Sequence, residues 1–170
     1  GTENHKAIRH KAKTVNFASV YGAGAPKIAI TAGMSLKEAK LLHKIYRDRN
    51  KSVKQVAEAC IVKSTGYKKW LFNPVSKFWY SLRAEKDRFS TLNQGTGVYC
   101  FDMQIKEVRK RGIKISLQMH DEILFNTTEE KKEYVKTQLT EAIASVNAEV
   151  KLNVPLGISM DFGKNYADCH

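Results

Sequence analysis

The spacing of the apolar residues changes partway along this chain, near Gly112. Before that point, apolar positions recur every three or four residues, as on one face of a helix. Beyond it, Ile113, Ile115, Leu117 and Met119 alternate with polar residues, as in a half-buried strand. This order predicts an α+β fold: helices come first, followed by a small antiparallel sheet with helices packed on it.

Short local signals predict the helices of the first half. Residues 6–21 contain no Pro or Gly and precede Gly22-Ala23-Gly24, which predicts a helix with a glycine stop. Ser35-x-x-Glu38 is a capping box that predicts the start of a second helix. Ser52-x-x-Gln55 predicts a third, which Gly66 should close.

The second half begins after an aromatic-rich stretch, residues 67–82, which Asn73-Pro74 interrupts and which predicts a hairpin or an irregular loop. A long helix is predicted over residues 85–111. Thr127-x-x-Glu130 predicts a helix cap, and a short closing strand is expected around residues 154–160. The buried face of the last helix is predicted to consist of Val135, Leu139, Ile143 and Val146.

The charge of the chain favours a polyanionic partner. Lys and Arg number 29 against 17 acids, which gives a net charge of +12. Because cations that neutralise phosphates release condensed counterions, nucleic acid is the first expectation, and an anionic membrane surface is the alternative. Cys60, Cys100 and Cys169 show no metal-binding spacing and are expected to be reduced thiols. With no apolar run long enough to span a bilayer and no signal peptide, we expect a soluble cytoplasmic protein without a membrane partner.

Four residues are spaced by four in the first helix: Arg9, Lys13, Phe17 and Tyr21. Each step of four turns a helix by about 400°, so the four residues form one slightly spiralling stripe. Two cations followed by two aromatics suit a nucleoside triphosphate, with cations at the phosphates and rings at the base and sugar. The alternative is a solvated basic face whose two aromatics are core residues.

A second candidate is the turn His120-Asp121-Glu122 between two apolar strands. A carboxylate held at a strand turn can ligate Mg²⁺, which takes one or two protein carboxylates together with substrate phosphates. Phosphoryl transfer with two metals needs such ligands beside the reacting phosphate. The alternative is an ordinary polar hairpin turn.

Taken together, the two segments resemble DNA polymerase family A. The stripe, followed by Gly22 and with Asn16 inside it, resembles the second conserved motif of that family, on the fingers helix. Met119-His120-Asp121-Glu122 resembles the third motif, the palm turn that supplies a catalytic carboxylate. Further matches follow in the family's order: Asn93-Gln94-Gly95-Thr96, Leu152-Asn153-Val154-Pro155-Leu156, Gly163-Lys164-Asn165-Tyr166 and a terminal His170.

The resemblance implies a role for each matching residue of the first helix. Arg9 and Lys13 would bind the incoming dNTP, and Lys13 would also assist protonation of the pyrophosphate leaving group. Phe17 would pack on the sugar. Tyr21 would sit at the insertion site beside the template base.

The resemblance also implies roles at the palm. Asp121 would be a ligand of the catalytic Mg²⁺ pair, and Glu122 a neighbouring catalytic carboxylate with a lesser role. His120 and Gln94 would lie near the primer terminus and the minor groove of primer–template DNA. The reaction would be attack of the primer 3′-hydroxyl on the α-phosphate of the dNTP.

By the same resemblance, residues 1–84 would form the fingers subdomain and residues 85–170 the C-terminal part of the palm. The family's first motif, with the second metal-binding Asp, has no match in this chain. We therefore expect the chain to be inactive alone, and to need a second polypeptide carrying that motif, the thumb and possibly an exonuclease. The resemblance suggests a polymerase of phage type, and a phage or plasmid gene split by an insertion would produce such a chain, as would processing or truncation of a longer one.

Two other functions remain open. Phage-type single-subunit RNA polymerases share a similar stripe and a His-Asp turn, although Phe17 and Glu122 favour the DNA enzymes; comparing dNTP with NTP incorporation would discriminate. A non-catalytic nucleic-acid-binding polymerase remnant would need only the basic surface. Such a remnant would bind primer–template equally well after Asp121→Ala, or slightly better.

Overall fold

The computed structural model describes residues 2–169, and within them it has the predicted α+β architecture. The α-helices are α1 (Thr2–Val20), α2 (Ala25–Ala32), α3 (Leu36–Arg49), α4 (Lys51–Ala59), α5 (Arg88–Lys110) and α6 (Lys132–Val150). One antiparallel sheet contains β1 (Val62–Thr65), β2 (Lys68–Phe72) and β3 (Trp79–Leu82) in that order, and a second contains β4 (Leu117–Met119) and β5 (Glu122–Leu124). The chain divides into two compact units between Thr96 and Gly97, inside α5.

Helices α1, α2 and α3 pack around a small core. Val15, Ile28 and Ala39 are buried there. The predicted glycine stop of α1 and the predicted start of α3 are confirmed, whereas α2 was not predicted from the sequence. Helix α1 stops before Gly22, which has a positive φ of 71°, and the capping box at Ser35 forms with both of its reciprocal hydrogen bonds.

The helix predicted to run from Ser52 to Gly66 is wrong in its second half. Helix α4 ends at Ala59, and the next residues form strand β1. Gly66 lies instead in the tight turn between β1 and β2, with a positive φ of 59°. The apolar spacing continued past the helix end, but pairing of Val62 with Leu71 across the hairpin determines the structure.

The β2–β3 hairpin is confirmed, and its loop is fixed by Asn73, whose side chain is fully buried. The Asn73 Oδ1 accepts hydrogen bonds from the backbone N–H groups of Val75 (2.9 Å) and Ser76 (3.2 Å). Its Nδ2 donates to the Thr96 Oγ1 at 2.9 Å and to the Leu92 carbonyl at 3.4 Å, both in α5. One side chain therefore closes the loop and also attaches the sheet to α5.

Beyond Gly97, helix α6 packs on the end of α5. The predicted face of α6 is confirmed, since Val135, Leu139, Ile143 and Val146 are all buried. The predicted strand from Ile113 is shorter than expected, because only residues 117–119 pair with β5. Ile113 is nevertheless buried in the core that contains Val108 of α5.

Two expectations near the C-terminus are wrong. Helix α6 begins after a short 3₁₀ turn, Glu129–Lys131, and no side-chain cap from Thr127 or Thr128 forms. Residues 154–160 form no strand. Instead, the Asn147 side chain exchanges two hydrogen bonds with the Leu156 backbone, at 2.8 and 2.9 Å. The N–H and carbonyl groups of Leu156 are thereby satisfied without a neighbouring strand. His170 lies outside the described residues.

A charged cluster joins the end of α5 to α6. The Glu107 carboxylate, only 8 % exposed, accepts hydrogen bonds from the Lys110 Nζ at 2.6 Å and the Arg111 Nη1 at 2.8 Å. The Arg111 Nη2 also donates to the Ser145 Oγ of α6 at 2.9 Å. Hydrogen bonds from Lys110, and then from Arg111, lower the pKa of Glu107 below its ordinary value.

This lowered pKa predicts an acid-dependent stability. A carboxyl whose pKa is lower in the folded state contributes stability above its unfolded pKa, about 4.3, and loses it as the pH falls through the folded pKa. Glu107→Gln should therefore be less stable than the wild type at pH 7, with the gap closing in acid. Urea unfolding across this pH range measures the gap. Glu149→Gln, an exposed change on α6, is the matched control and should change stability at pH 7 by less than about 0.5 kcal/mol.

Candidate functional site

The predicted stripe of α1 faces solvent. Arg9, Lys13 and Phe17 are exposed, and so is Tyr21 just beyond the last residue of the helix. The Phe17 side chain is 50 % exposed, and the Lys13 Nζ lies 5.7 Å from the centre of its ring. Both aromatic rings are therefore surface groups, whereas Val15 supplies the buried face of the helix.

An open groove runs alongside this stripe, between α1 and α2. Its volume is about 490 Å³, within the usual range for small-ligand sites. It is lined by His10, Lys13, Thr14, Phe17, Ala18, Tyr21, Ala23, Lys27 and Thr31. None of these lining residues is acidic, so the groove combines cations with exposed rings. Arg9 lies one turn further towards the N-terminus and is not among these lining residues.

Tyr21 and Gln94, two of the predicted DNA-binding residues, meet directly. The Gln94 Nε2 donates a hydrogen bond of 3.2 Å to the Tyr21 hydroxyl. The neighbouring Gly22 brings the backbone close to the segment before α5, where an added Cβ would lie 3.2 Å from the Lys86 carbonyl oxygen. The end of α1 is thus held against the beginning of α5 within the first unit.

The Asn93-Gln94-Gly95-Thr96 segment lies inside α5 and is fixed from two sides. While Gln94 reaches Tyr21, Thr96 accepts the hydrogen bond from Asn73. Gly95 is buried, and a Cβ there would lie 2.9 Å from the Tyr80 ring. A glycine is required in this helix because the β3 tyrosine packs directly on its backbone.

The turn His120-Asp121-Glu122 belongs to the second unit. Met119 pairs with Glu122 across a two-residue turn, and His120 adopts a positive φ of 52°. His120, Asp121 and Glu122 are all exposed, while Ile123 packs against the core beneath them. The hairpin therefore presents its carboxylates to solvent from a strand anchored by apolar packing.

Comparison with known proteins identifies the family. The family model described as DNA polymerase family A matches residues 2–168. The chain belongs to DNA polymerase family A. Among its relatives, a thermostable DNA polymerase I of Thermus filiformis is 26 % identical over 175 residues, which cover 95 % of this chain and 21 % of that protein.

Other relatives are also bacterial DNA polymerases I. The protein of Borreliella burgdorferi is 25 % identical over 96 % of this chain and 19 % of its own length. That of Bacillus subtilis is 27 % identical over 95 % of this chain and 20 % of its own length. The family A chain thus spans about one fifth of the length of these relatives. The phage type expected from the sequence gains no support from them.

A magnesium site of family A remains an expectation at the palm turn. Among the residues that the structure describes, no three carboxylate, imidazole or thiol side chains come together as a metal cluster. Asp121 and Glu122 still present oxygen donors at an exposed turn, and Mg²⁺ needs only one or two protein carboxylates. The turn therefore fits one part of a metal site rather than a complete one.

Two basic residues of the groove of this family A chain were not predicted from the sequence. His10 lies one turn from Lys13, on the same side of the helix, and its spacing could have shown this. Lys27 reaches the groove from α2, and no local spacing reveals such an approach. In the part of the chain described here, no helix is long and apolar enough to cross a membrane.

Proposed function

We propose that this chain takes part in template-directed DNA synthesis, the transfer of a nucleotide from a dNTP to a primer 3′-hydroxyl on primer–template DNA. The main support is the groove beside α1. It joins Lys13, Phe17 and Tyr21 in one open cavity with no acid among its lining residues. Cations meet phosphate oxygens there, and aromatic faces are available for the sugar and base. In this proposal, residues 1–84 act as the fingers and residues 85–170 as the C-terminal part of the palm.

The groove residues and Arg9, which lies one turn outside the groove lining, bind different parts of the nucleotide in this proposal. Arg9 and Lys13 bind the triphosphate, and the Lys13 ammonium donates a proton towards the departing pyrophosphate. Phe17, whose ring is exposed beside Lys13, packs on the sugar. Tyr21 lies beside the template base, with its hydroxyl held by Gln94, and this bond fixes the position of the ring.

The palm turn supplies the remaining groups. Asp121 would hold Mg²⁺, with Glu122 as a lesser neighbouring carboxylate, and His120 would contact the DNA near the primer terminus. When bound, Mg²⁺ stabilises charge on the attacking and leaving oxygens of the reaction. The described residues offer one carboxylate turn and no metal cluster, so we propose that a further acid comes from a segment outside these 170 residues. The purified chain alone is then inactive, and primer extension by it would refute this requirement.

The triphosphate site predicts a selective loss of dNTP binding. Lys13→Ala should weaken dATP binding to the purified chain about tenfold, because a charge-assisted hydrogen bond to phosphate is lost. Isothermal titration calorimetry at low salt measures the affinity. Lys11→Ala is the matched control, since Lys11 has the same charge but does not line the groove, and its charge interacts with Glu38 of α3 instead. Equal losses in both variants would mean that net charge alone attracts the nucleotide.

A further inference from the structure

The outward face of the β1–β2–β3 sheet combines aromatic rings with lysines. In the strand register, Lys63 pairs with Trp70, Trp70 with Ser81, and Phe72 with Trp79, so these side chains share one face of the sheet. The two tryptophans of the chain both lie there. The Phe72 and Trp79 ring centres are 5.2 Å apart with the rings tilted by 50°.

The opposite face of this sheet is already used for packing. Leu71 and Leu82 are buried, and the Tyr80 ring packs on Gly95 of α5. Trp79, by contrast, is 43 % exposed, and Phe78 beside it is 62 % exposed. Trp79 thus faces solvent from a strand whose opposite side is anchored to α5, and the exposed Phe78 directly precedes that strand.

Charge indicates what this face can bind. The strand register places Lys63 and Lys68 on this face, and residues 61–84 contain no acidic residue. The Lys63 Nζ lies 5.9 Å from the centre of the Trp79 ring, and the Lys68 Nζ lies 5.8 Å from that of Tyr67. The cations therefore lie among the rings. This arrangement complements a polyanion that also carries flat apolar groups.

We propose that this sheet face binds single-stranded nucleic acid, with bases stacked on Trp79 and its aromatic neighbours and phosphates paired with Lys63 and Lys68. Unpaired bases offer free π-faces, and stacking on aromatic side chains needs no particular sequence. A duplex hides those faces, so its phosphates alone would meet the lysines. This binding requires neither dNTP nor Mg²⁺, so its test is independent of the test of DNA synthesis.

The two tryptophans make the site directly observable. An oligothymidylate of about twelve nucleotides, long enough for one binding face, should quench the intrinsic tryptophan fluorescence of the full chain at low salt. A duplex of equal length should bind at least about tenfold more weakly in competition. Quenching by single strands with this preference supports the proposal. Absence of quenching, or equal binding of the duplex, overturns it.

Variants of Trp79 locate the contact. Trp79→Ala should lower the affinity for a fluorescein-labelled oligothymidylate about tenfold by anisotropy, whereas Trp79→Phe keeps a stacking ring and should retain most of it. Tyr134→Ala removes a more exposed aromatic, from α6, and should leave the affinity unchanged. Circular dichroism checks that each variant is folded. Unchanged binding by folded Trp79→Ala would place the nucleic acid elsewhere, and an apolar protein would then be the better candidate for this face.

Discussion

Asp121→Ala should lower primer extension about 10³-fold, because it removes the proposed Mg²⁺ ligand and with it several kcal/mol of transition-state stabilisation. The assay requires an active enzyme. We suggest a chimera in which this chain replaces the corresponding segment of the Thermus filiformis DNA polymerase I, about one fifth of that protein. Single-turnover extension of a primer–template then reports the rate of the chemical step.

The control for this substitution is Asp161→Ala. Asp161 is also exposed, so the change in net charge is the same, but it lies outside the β4–β5 turn. Asp121 is exposed as well, so neither change should alter the free energy of unfolding of the isolated chain, measured in urea, by more than about 0.5 kcal/mol. Comparable extension by the wild-type and Asp121→Ala chimeras would contradict the metal-ligand role.

The same variant separates an enzyme from a remnant that only binds nucleic acid. Removing one negative charge should leave primer–template affinity unchanged or slightly higher in either case, because phosphates repel carboxylates. Only an enzyme loses extension at the same time. The pair of measurements therefore distinguishes a catalytic carboxylate from a carboxylate that happens to lie on a basic protein.

Much of the fold could be predicted because its signals act within one or two turns. Gly22 and the capping box at Ser35 define helix ends through hydrogen bonds to residues three to five positions away. The buried face of α6 follows from a regular spacing that one helix imposes on its own residues. Neither signal depends on the rest of the chain.

The predictions were wrong where the local structure depends on contacts between residues that are distant in the sequence. Strand β1 forms because Val62 pairs with Leu71 and Lys63 pairs with Trp70 of β2. The helical spacing of the preceding residues does not predict this pairing. Residues 154–160 alternate like a strand, yet the side chain of Asn147 takes the hydrogen bonds at Leu156. Pairing partners are chosen by the tertiary fold, and a single strand pattern does not specify them.

The candidate site likewise has a part that the sequence predicts and a part that it does not. The stripe from Arg9 to Tyr21 is a property of one helix, so its spacing predicts which side chains share a face. Lys27 of α2 lines the groove, and Gln94 of α5 contacts Tyr21, only because of the way the helices pack. The resemblance to family A named Gln94 as a DNA contact, but it did not predict that Gln94 would hold the Tyr21 hydroxyl.

Asn73→Ala should destabilise the chain by about 3 kcal/mol, because three short side-chain hydrogen bonds disappear and two backbone donors lose their partners. The sequence pointed only to a break at Asn73-Pro74. The structure shows that the residue is fully buried and joins the β2–β3 loop to α5. For a domain stable by roughly 5–15 kcal/mol, this loss is large. Chemical unfolding followed by tryptophan fluorescence measures it, since Trp70 and Trp79 lie in the attached sheet.

Two companion variants show whether the loss comes from this network. Asn93→Ala removes an exposed asparagine from the same region of α5 and should change stability by less than about 0.5 kcal/mol. Thr96→Val removes the hydroxyl that accepts the Asn73 hydrogen bond, and combining it with Asn73→Ala should cost less than the sum of the single changes. Strict additivity would mean that the two side chains do not act together, and the sheet would then be attached to α5 chiefly by the packing of Tyr80 on Gly95.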